Sequence, residues 1–419
     1  MTPLLGICAG AFYLVLGRQI VGSSSRWRDP AFALLNLVAV YAFFFWRKDP
    51  RFPLLFDSIF VAYVAMVGIQ YLGLRLWGAH PGWLSWLAFA IPIGFLIVVR
   101  YLPLLQLAAL FGGRVRLVLL RHPEFRPSWV LVGISYLAFR TSHLVLEVRN
   151  GVVPRPTFSQ YLGFAFFAPT LSVGPISPYS QHRRAFSAVH RPSTPISAAA
   201  LRLLVGAVKY RFLGPLLNQL TYSGLLLDGH PHPIIDLPLA AIAYYLYLYC
   251  NFSGFCDIAV GAAALMGIPV AENFANPFAA RNPRDFWNRW HITLSQFMRD
   301  VVFSPLSKAL VRTLGAARTN EAVAVTILVV FLLVGVWHGV GWNYAAFGAI
   351  HGVALVANHY YTYALKKRLG RERFAAYNRN RVVHGVAVCS TFVFVAVSLF
   401  FFANNQDEMA RIFSMLRLR

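Results

Sequence analysis

Two histidines carry the chemistry this sequence offers. His338 follows the apolar run FLLVGVW and precedes GVGWNYAAFGAIHG, so it falls near the end of an apolar helix with Gly335, Gly339, Gly341 and Gly348 around it. A charged imidazolium is costly there; burial lowers a histidine pKa and leaves a neutral ring able to take a proton near neutral pH. A general base for a hydroxyl nucleophile needs that property. A hydrogen-bonded packing histidine is the other reading of the same spacing. His291 lies in RNPRDFWNRWHITLSQFMRD, residues 281–300. Helical spacing puts Trp287 one turn before it and Ser295 one turn after, all on one face. Asp285 and Arg289, four apart, suit a helical ion pair. Neither an HExxH pattern nor a clustered third ligand accompanies the histidines, so a metal site is not expected. His351 and His359 read as structural.

Ionisable and polar groups inside apolar spans are costly, so each one is a candidate for function. Asp257 lies in YLYLYCNFSGFCDIAVGAAALMG with Asn251 and Ser253, interrupted by Gly254. These residues either face a substrate path or fix helix packing. Arg140 and His143 precede Glu147 and Arg149, and an internal ion pair is the expectation. Cysteines 8, 250, 256 and 389 form no CxxC and read as small apolar fillers. No GxSxG, Walker A or GxGxxG sequence occurs in a supporting context, which argues against serine hydrolases, ATPases and dinucleotide enzymes.

The elements that position these residues follow from composition. Of 419 residues, 58% are hydrophobic and only 13% charged, with mean hydropathy +0.57. A water-soluble fold cannot cover itself with so little charge. The class is an all-α polytopic membrane protein with about 10 to 13 crossings, because lipid offers backbone groups no other partner. Apolar stretches begin near residues 3, 30, 53, 82, 128, 196, 237, 321, 342 and 382, with shorter pieces at 101–120 and 158–176. The first lacks a basic lead-in and reads as a span, not a signal peptide. Segment 158–176 holds Pro169, Gly174 and Pro175 and is expected to break, as a re-entrant element or an ordinary span end. Segment 281–300 is too charged to span and is expected at the interface.

The net charge of +23 fits basic residues gathered on cytoplasmic loops better than nucleic acid. An acidic soluble partner on that face is the secondary reading. Arg47 to Arg51, Arg114 to Arg126, Arg183-Arg184 and Lys366 to Arg381 are the cytoplasmic candidates. No internal repeat is visible, and one membrane-embedded domain over 1–419 is the simplest organisation.

Four blocks in order give the chain a family resemblance: FAPTLSVGPISPYSQ at 167–181, YLYCNFSGFCDIAVGAAALMGIPVAENFANPF at 247–278, DFWNRWHITLSQFMRD at 285–300 and VGVWHGVGWNYAAFGAIHG at 334–352. Across roughly residues 130–360 the chain resembles the membrane-bound O-acyltransferases, in particular bacterial members that acylate envelope polymers. The resemblance implies roughly 11 transmembrane helices, with re-entrant or interfacial helices, around a central funnel and tunnel in the bacterial cytoplasmic membrane. By the same resemblance His338 is the catalytic histidine and His291 a second one on the cytoplasmic side. Trp287, Arg289, Trp290, Ser295, Asn251 and Asp257 then line the tunnel or bind substrate, and Asn343 is an oxyanion donor.

The implied reaction moves a D-alanyl or acetyl group from a cytosolic thioester to a hydroxyl on the outer face. The donor is the phosphopantetheine arm of an acidic acyl carrier protein or acyl-CoA, a substrate and not a resident cofactor. Alginate- or peptidoglycan-type O-acetylation from acetyl-CoA is the alternative within the class. An SGNH-type transferase outside is the implied partner, with no nucleic acid. A secondary transporter or an envelope scaffold are the competing classes, and a donor-dependent acylation assay separates them.

Overall fold

A computed structural model describes residues 3–46, 53–80, 82–101, 133–187, 194–227, 232–339 and 341–417. Among them there is no β-strand, only an isolated bridge between Phe274 and Trp290. Among the described residues five helical segments are long and apolar enough to cross a membrane: 28–45, 57–77, 234–265, 316–338 and 381–403. The expected starts near 3, 30, 53, 82, 196, 237, 321, 342 and 382 all coincide with helices. The start near 128 and the basic clusters 47–51 and 114–126 lie outside the described residues, as does the stretch 101–120 apart from Tyr101. The chain divides into two compact units, 1–205 with 256–271 and 206–255 with 272–419.

The first unit is built on α1 (Pro3–Val21), α2 (Arg28–Val40), α3 (Pro53–Trp77), α4 (Leu84–Tyr101) and α5 (Ile134–Arg149). α4 packs on both α3 and α5, and α2 on α1. Segment 158–176 breaks, as expected from its clustered prolines and glycines. α6 (Phe158–Ala165) opens with a capping box in which Thr157 and Gln160 satisfy each other's backbone N–H. It ends before a single 3₁₀ turn, Ala168–Thr170, and is followed by α7 (Tyr179–Arg184).

Such a break strands backbone carbonyls in an apolar interior, and the residue that answers them is Arg140. Its buried guanidinium donates to the carbonyls of Phe164, Phe167 and Thr170 and to the Thr170 hydroxyl. An internal ion pair was the expectation for this residue; the structure shows a charged staple on broken backbone instead. Glu147 serves the opposite polarity. Its carboxylate accepts from the Tyr179 N–H at 2.7 Å and the Ser180 N–H at 3.1 Å, the free donors at the start of α7, with His143 Nδ1 at 3.9 Å. Asn36, fully buried on α2, accepts from the Tyr13 hydroxyl and the Ala168 N–H, tying α1 and the break to α2. Asp257, read as facing a substrate path or fixing helix packing, pairs with Arg202 of α8 (Ile196–Val208) at 3.1 Å, a packing contact between helices.

The second unit takes most of α9 (Pro233–Leu265), which passes to the first unit at Cys256. Gly254 lets the backbone at Lys209 and Tyr210 approach so closely that a Cβ there would lie 2.8 Å from the Tyr210 nitrogen. α10 (Pro283–Trp287), α11 (Ile292–Met298), α12 (Ser304–Leu314) and α13 (Thr319–His338) follow, then α14 (Trp342–Arg379), α15 (Arg381–Ser398), α16 (Phe400–Ala403) and α17 (Gln406–Arg417). The basic stretch 366–381 is helical, with a reversal at Gly370, whose φ is +72°. Tyr361 and Tyr377 hydroxyls meet at 2.9 Å across it. Sixteen residues of straight helix would separate their Cα atoms by about 24 Å, so α14 is two helices folded back on each other.

Replacing Arg140 by Met keeps the apolar volume but leaves the carbonyls of the break without a donor. At about 1–3 kcal/mol per orphaned group, thermal unfolding of the detergent-purified variant should show a large loss of stability or no folded protein.

Candidate active site

The helix expected across 281–300 is two helices. Asn282 caps the first, its Oδ1 accepting from the Asp285 N–H at 2.9 Å, and Pro283 fills the first turn, where no N–H is missed. α10 stops at Trp287 and α11 starts at Ile292. Between them His291 adopts φ +46°, a left-handed conformation that few residues other than glycine accept. Trp287, His291 and Ser295 therefore do not share one face of a continuous helix. The Ser295 hydroxyl instead donates to the Trp287 carbonyl at 3.0 Å, binding one half to the other. The apolar side of the segment packs inside the protein: Phe286, Trp287, Trp290, Leu294 and Phe297 are all buried. The Asp285–Arg289 pair forms at 2.8 Å, and Arg289 also donates to the Ala275 carbonyl.

Segment 273–275 holds the break open. Ala275 N–H donates to the Arg289 carbonyl at 3.0 Å and Ile292 N–H to the Asn273 carbonyl at 3.1 Å, a short antiparallel exchange on either side of His291. The Asn273 side chain completes it. Its Oδ1 accepts from the Thr293 N–H at 3.2 Å and the Thr293 hydroxyl at 2.9 Å, and lies 3.2 Å from His291 Nδ1. A backbone N–H can only donate, so the atom facing Thr293 is oxygen, and that oxygen can only accept from Nδ1. The hydrogen-bond network thus assigns the tautomer: Nδ1 carries hydrogen and Nε2 keeps its lone pair.

His338 is brought beside it by α13 and α14, which pack as a hairpin around Gly335 and Gly348. A Cβ on Gly348 would sit 2.3 Å from the Phe331 carbonyl and 3.1 Å from the Gly335 Cα, so only glycine permits the approach. The Trp337 ring packs against both imidazoles, 6.2 Å from His291 and 4.5 Å from His338 by centroid. Phe252 packs edge-on to His291 at 4.7 Å, Phe402 to His338 at 4.8 Å. Their exposures differ: His291 is 3% exposed, while His338 is half-buried at the helix end. Burial, and secondarily the charge His338 can carry, push the His291 pKa down from 6.5 to about 3.

Trp290 joins a buried aromatic cluster with Tyr245, Phe274 and Phe286. Trp287 Nε1–H donates to His351 Nδ1 at 3.2 Å, and His351 Nε2 lies 2.9 Å from the Ser398 hydroxyl, so His351 is structural as expected. His359 meets Asn320 at 3.1 Å. Asn251 is half-buried on α9. Asn343 corrects an expectation: its amide donates to the carbonyls of Phe401 at 3.0 Å and Asn404 at 3.3 Å, so its donors are engaged in pinning α16, which carries Phe402, and are not offered to an oxyanion. Asn273, Phe252, Trp337 and Phe402 were not singled out in the sequence. Asn273 lies within the block 247–278, but nothing local distinguishes it from Asn276.

The membrane-bound O-acyltransferase family model matches residues 84–403, wider than the 130–360 expected. The chain is 30% identical over 383 residues to a teichoic acid D-alanyltransferase of Streptococcus thermophilus, covering 85% of this chain and 91% of that one. A teichoic acid D-alanyltransferase of Bacillus subtilis is 30% identical over 298 residues, 68% of this chain and 73% of that one. A peptidoglycan O-acetyltransferase of Helicobacter pylori is 32% identical over 215 residues, 50% of this chain and 39% of that one. The chain belongs to the membrane-bound O-acyltransferase family. It is a multi-pass membrane acyltransferase, and transport has no support.

The His291 environment sets a pH dependence. The folded state resists protonation down to about 3, whereas an unfolded histidine protonates near 6.5. Protons therefore favour the unfolded chain between these values, and His291 draws stability down as pH falls through that window. Thermal unfolding from pH 7 to pH 4 should fall more steeply in the wild type than in His291→Gln. Parallel curves would mean that the ring does not stay neutral.

Proposed function

We propose that the chain transfers an acyl group from a cytosolic thioester, through the membrane, to a hydroxyl of a cell-envelope polymer or of a partner transferase. The observation that carries this reading is the pair of imidazoles on Trp337, one buried and pinned, the other half-buried. In this mechanism His338 takes the hydroxyl proton as the oxygen attacks the thioester carbonyl. The tetrahedral intermediate then expels the thiolate, and the His338 imidazolium returns the proton to it. The products are an ester and a free thiol. His291 has a different part. A neutral ring with hydrogen on Nδ1 is a poor acid, which argues against its protonating the thiolate. Its Nε2 lone pair instead accepts a hydrogen bond from an amide N–H of the thioester arm, holding the carbonyl toward His338.

D-alanyl transfer from a carrier protein is the favoured form, because this chain and the D-alanyltransferase of Streptococcus thermophilus align over 85% and 91% of their lengths. Acetyl transfer from acetyl-CoA is the alternative, supported by the peptidoglycan O-acetyltransferase similarity. In either form the site lies in a single catalytic domain of roughly 11 transmembrane helices around a funnel, in the bacterial cytoplasmic membrane. An acidic carrier, or CoA, meets the cytoplasmic face and an SGNH-type transferase the outer one.

Reconstituted vesicles supplied with alanyl-carrier or acetyl-CoA and a polyol-phosphate acceptor, read by mass spectrometry, test the reaction and the acyl group together. His338→Ala should lower transfer by roughly 10²–10⁴-fold while the protein stays folded; unchanged acylation removes His338 from the mechanism. Asn273→Ala frees the His291 ring and should cost on the order of 10²-fold. Asn273→Asp, which still accepts from Nδ1, should recover part of that loss; if it recovers none, Asn273 acts through packing alone.

A further inference from the structure

The folded-back end of α14, the start of α15 and residues 281–283 border an open groove of about 530 Å³ in the second unit. That is within the roughly 300–1,000 Å³ of sites that hold organic ligands. One wall is apolar, formed by Val382, Val383, Val386 and Phe394. These residues belong to the candidate span 381–403, so the wall lies along a helix long and apolar enough to cross a membrane. The rim is polar: Arg281, Asn282 and Asn358, with the Tyr361 and Tyr377 hydroxyls that close the α14 reversal.

Charge gathers at the same end. Lys366, Lys367, Arg368, Arg371, Arg373, Arg379 and Arg381 are all exposed and face a single acid, Glu372, in that stretch. Arg379 and Arg381 fall between the rim residue Tyr377 and the wall residue Val382. A cationic, hydrogen-bonding rim above an apolar wall, at the end of a membrane span, matches one kind of molecule: an amphiphile with an anionic head. Basic residues flanking a span mark the cytoplasmic leaflet, where acidic phospholipids attract them.

We infer that this groove binds an acidic phospholipid, its phosphate on Arg281, Arg379 and Arg381 and one acyl chain along Val382, Val386 and Phe394. A soluble acidic protein reaches the cations but not a wall that descends along the span. A second copy of the chain would bring the same cations against themselves.

The test is native mass spectrometry of the full-length protein, purified in detergent and titrated with phosphatidylglycerol or phosphatidylcholine of identical chains. Phosphatidylglycerol should be retained preferentially, and less so as salt rises. Arg281→Gln, and separately Arg379→Gln with Arg381→Gln, should weaken that preference by roughly fivefold per charge removed. Val386→Trp, which fills the wall and leaves every charge in place, should reduce retention of phosphatidylglycerol. Each variant is first checked by size exclusion; the arginine sets are separate, so one that fails to fold leaves the other to decide. Equal retention of the two lipids, a preference unchanged by the arginine variants, or competition by glycerol-3-phosphate as effective as by the intact lipid would each overturn the assignment. The last outcome would show a headgroup site with no use for the wall.

Discussion

A peptide group that leaves the helical path in an apolar interior must find its hydrogen bonds within the protein, because lipid supplies none. The described structure turns on meeting this constraint at two places. At 166–171 the freed carbonyls are gathered by the Arg140 guanidinium, and Glu147 takes the free N–H groups that open α7. At 288–291 the partners are the backbone of 273–275 and the Asn273 side chain. In both cases a break in a helix is stable because a buried polar side chain is aimed at it. In the second, the break is also what presents a histidine.

The two imidazoles share a tryptophan and have unlike surroundings, and those surroundings sort their chemistry. His291 is enclosed by Phe252 and fixed by Asn273, which keeps it neutral and directs its lone pair. His338 ends an apolar helix, half-buried, in contact with Phe402. In the proposed mechanism, environment, more than residue type, makes one an acceptor that holds and the other a base that acts. The glycine contact between α13 and α14 belongs to the same design. Backbones that meet at Gly335 and Gly348 set where His338 stands, to within the width of a methyl group.

Much of this was legible in the chain, and the reasons are specific. Spans announce themselves because burying about 20 residues in hydrocarbon leaves little choice of composition, and the starts near 30, 237, 321 and 382 coincide with long apolar helices. The break at 158–176 was visible because Pro169, Gly174 and Pro175 crowd one short apolar segment, where missing N–H groups and absent side chains weaken a helix together. The two histidine blocks were legible through family resemblance, which spacing alone did not supply. Helical periodicity misled at 281–300: the apolar residues recur at the right interval, yet the chain turns at His291 because a distant segment offers it better hydrogen bonds than the next helical turn would.

Sequence by itself determined the membrane class and the family, placed the starts of most of the described helices and singled out two histidines, since these depend on composition and local order. Tertiary structure decided what each polar residue does. Arg140 could not be read as a staple, Asp257 as the partner of Arg202, or Asn343 as the clamp on Phe401 and Asn404, because each contact joins residues between 24 and 61 positions apart. The tautomer of His291 belongs to the same group: it rests on an asparagine 18 residues away whose orientation is set by a third residue, Thr293. A hydrogen bond takes its meaning from both ends, and a linear chain names only one of them at a time.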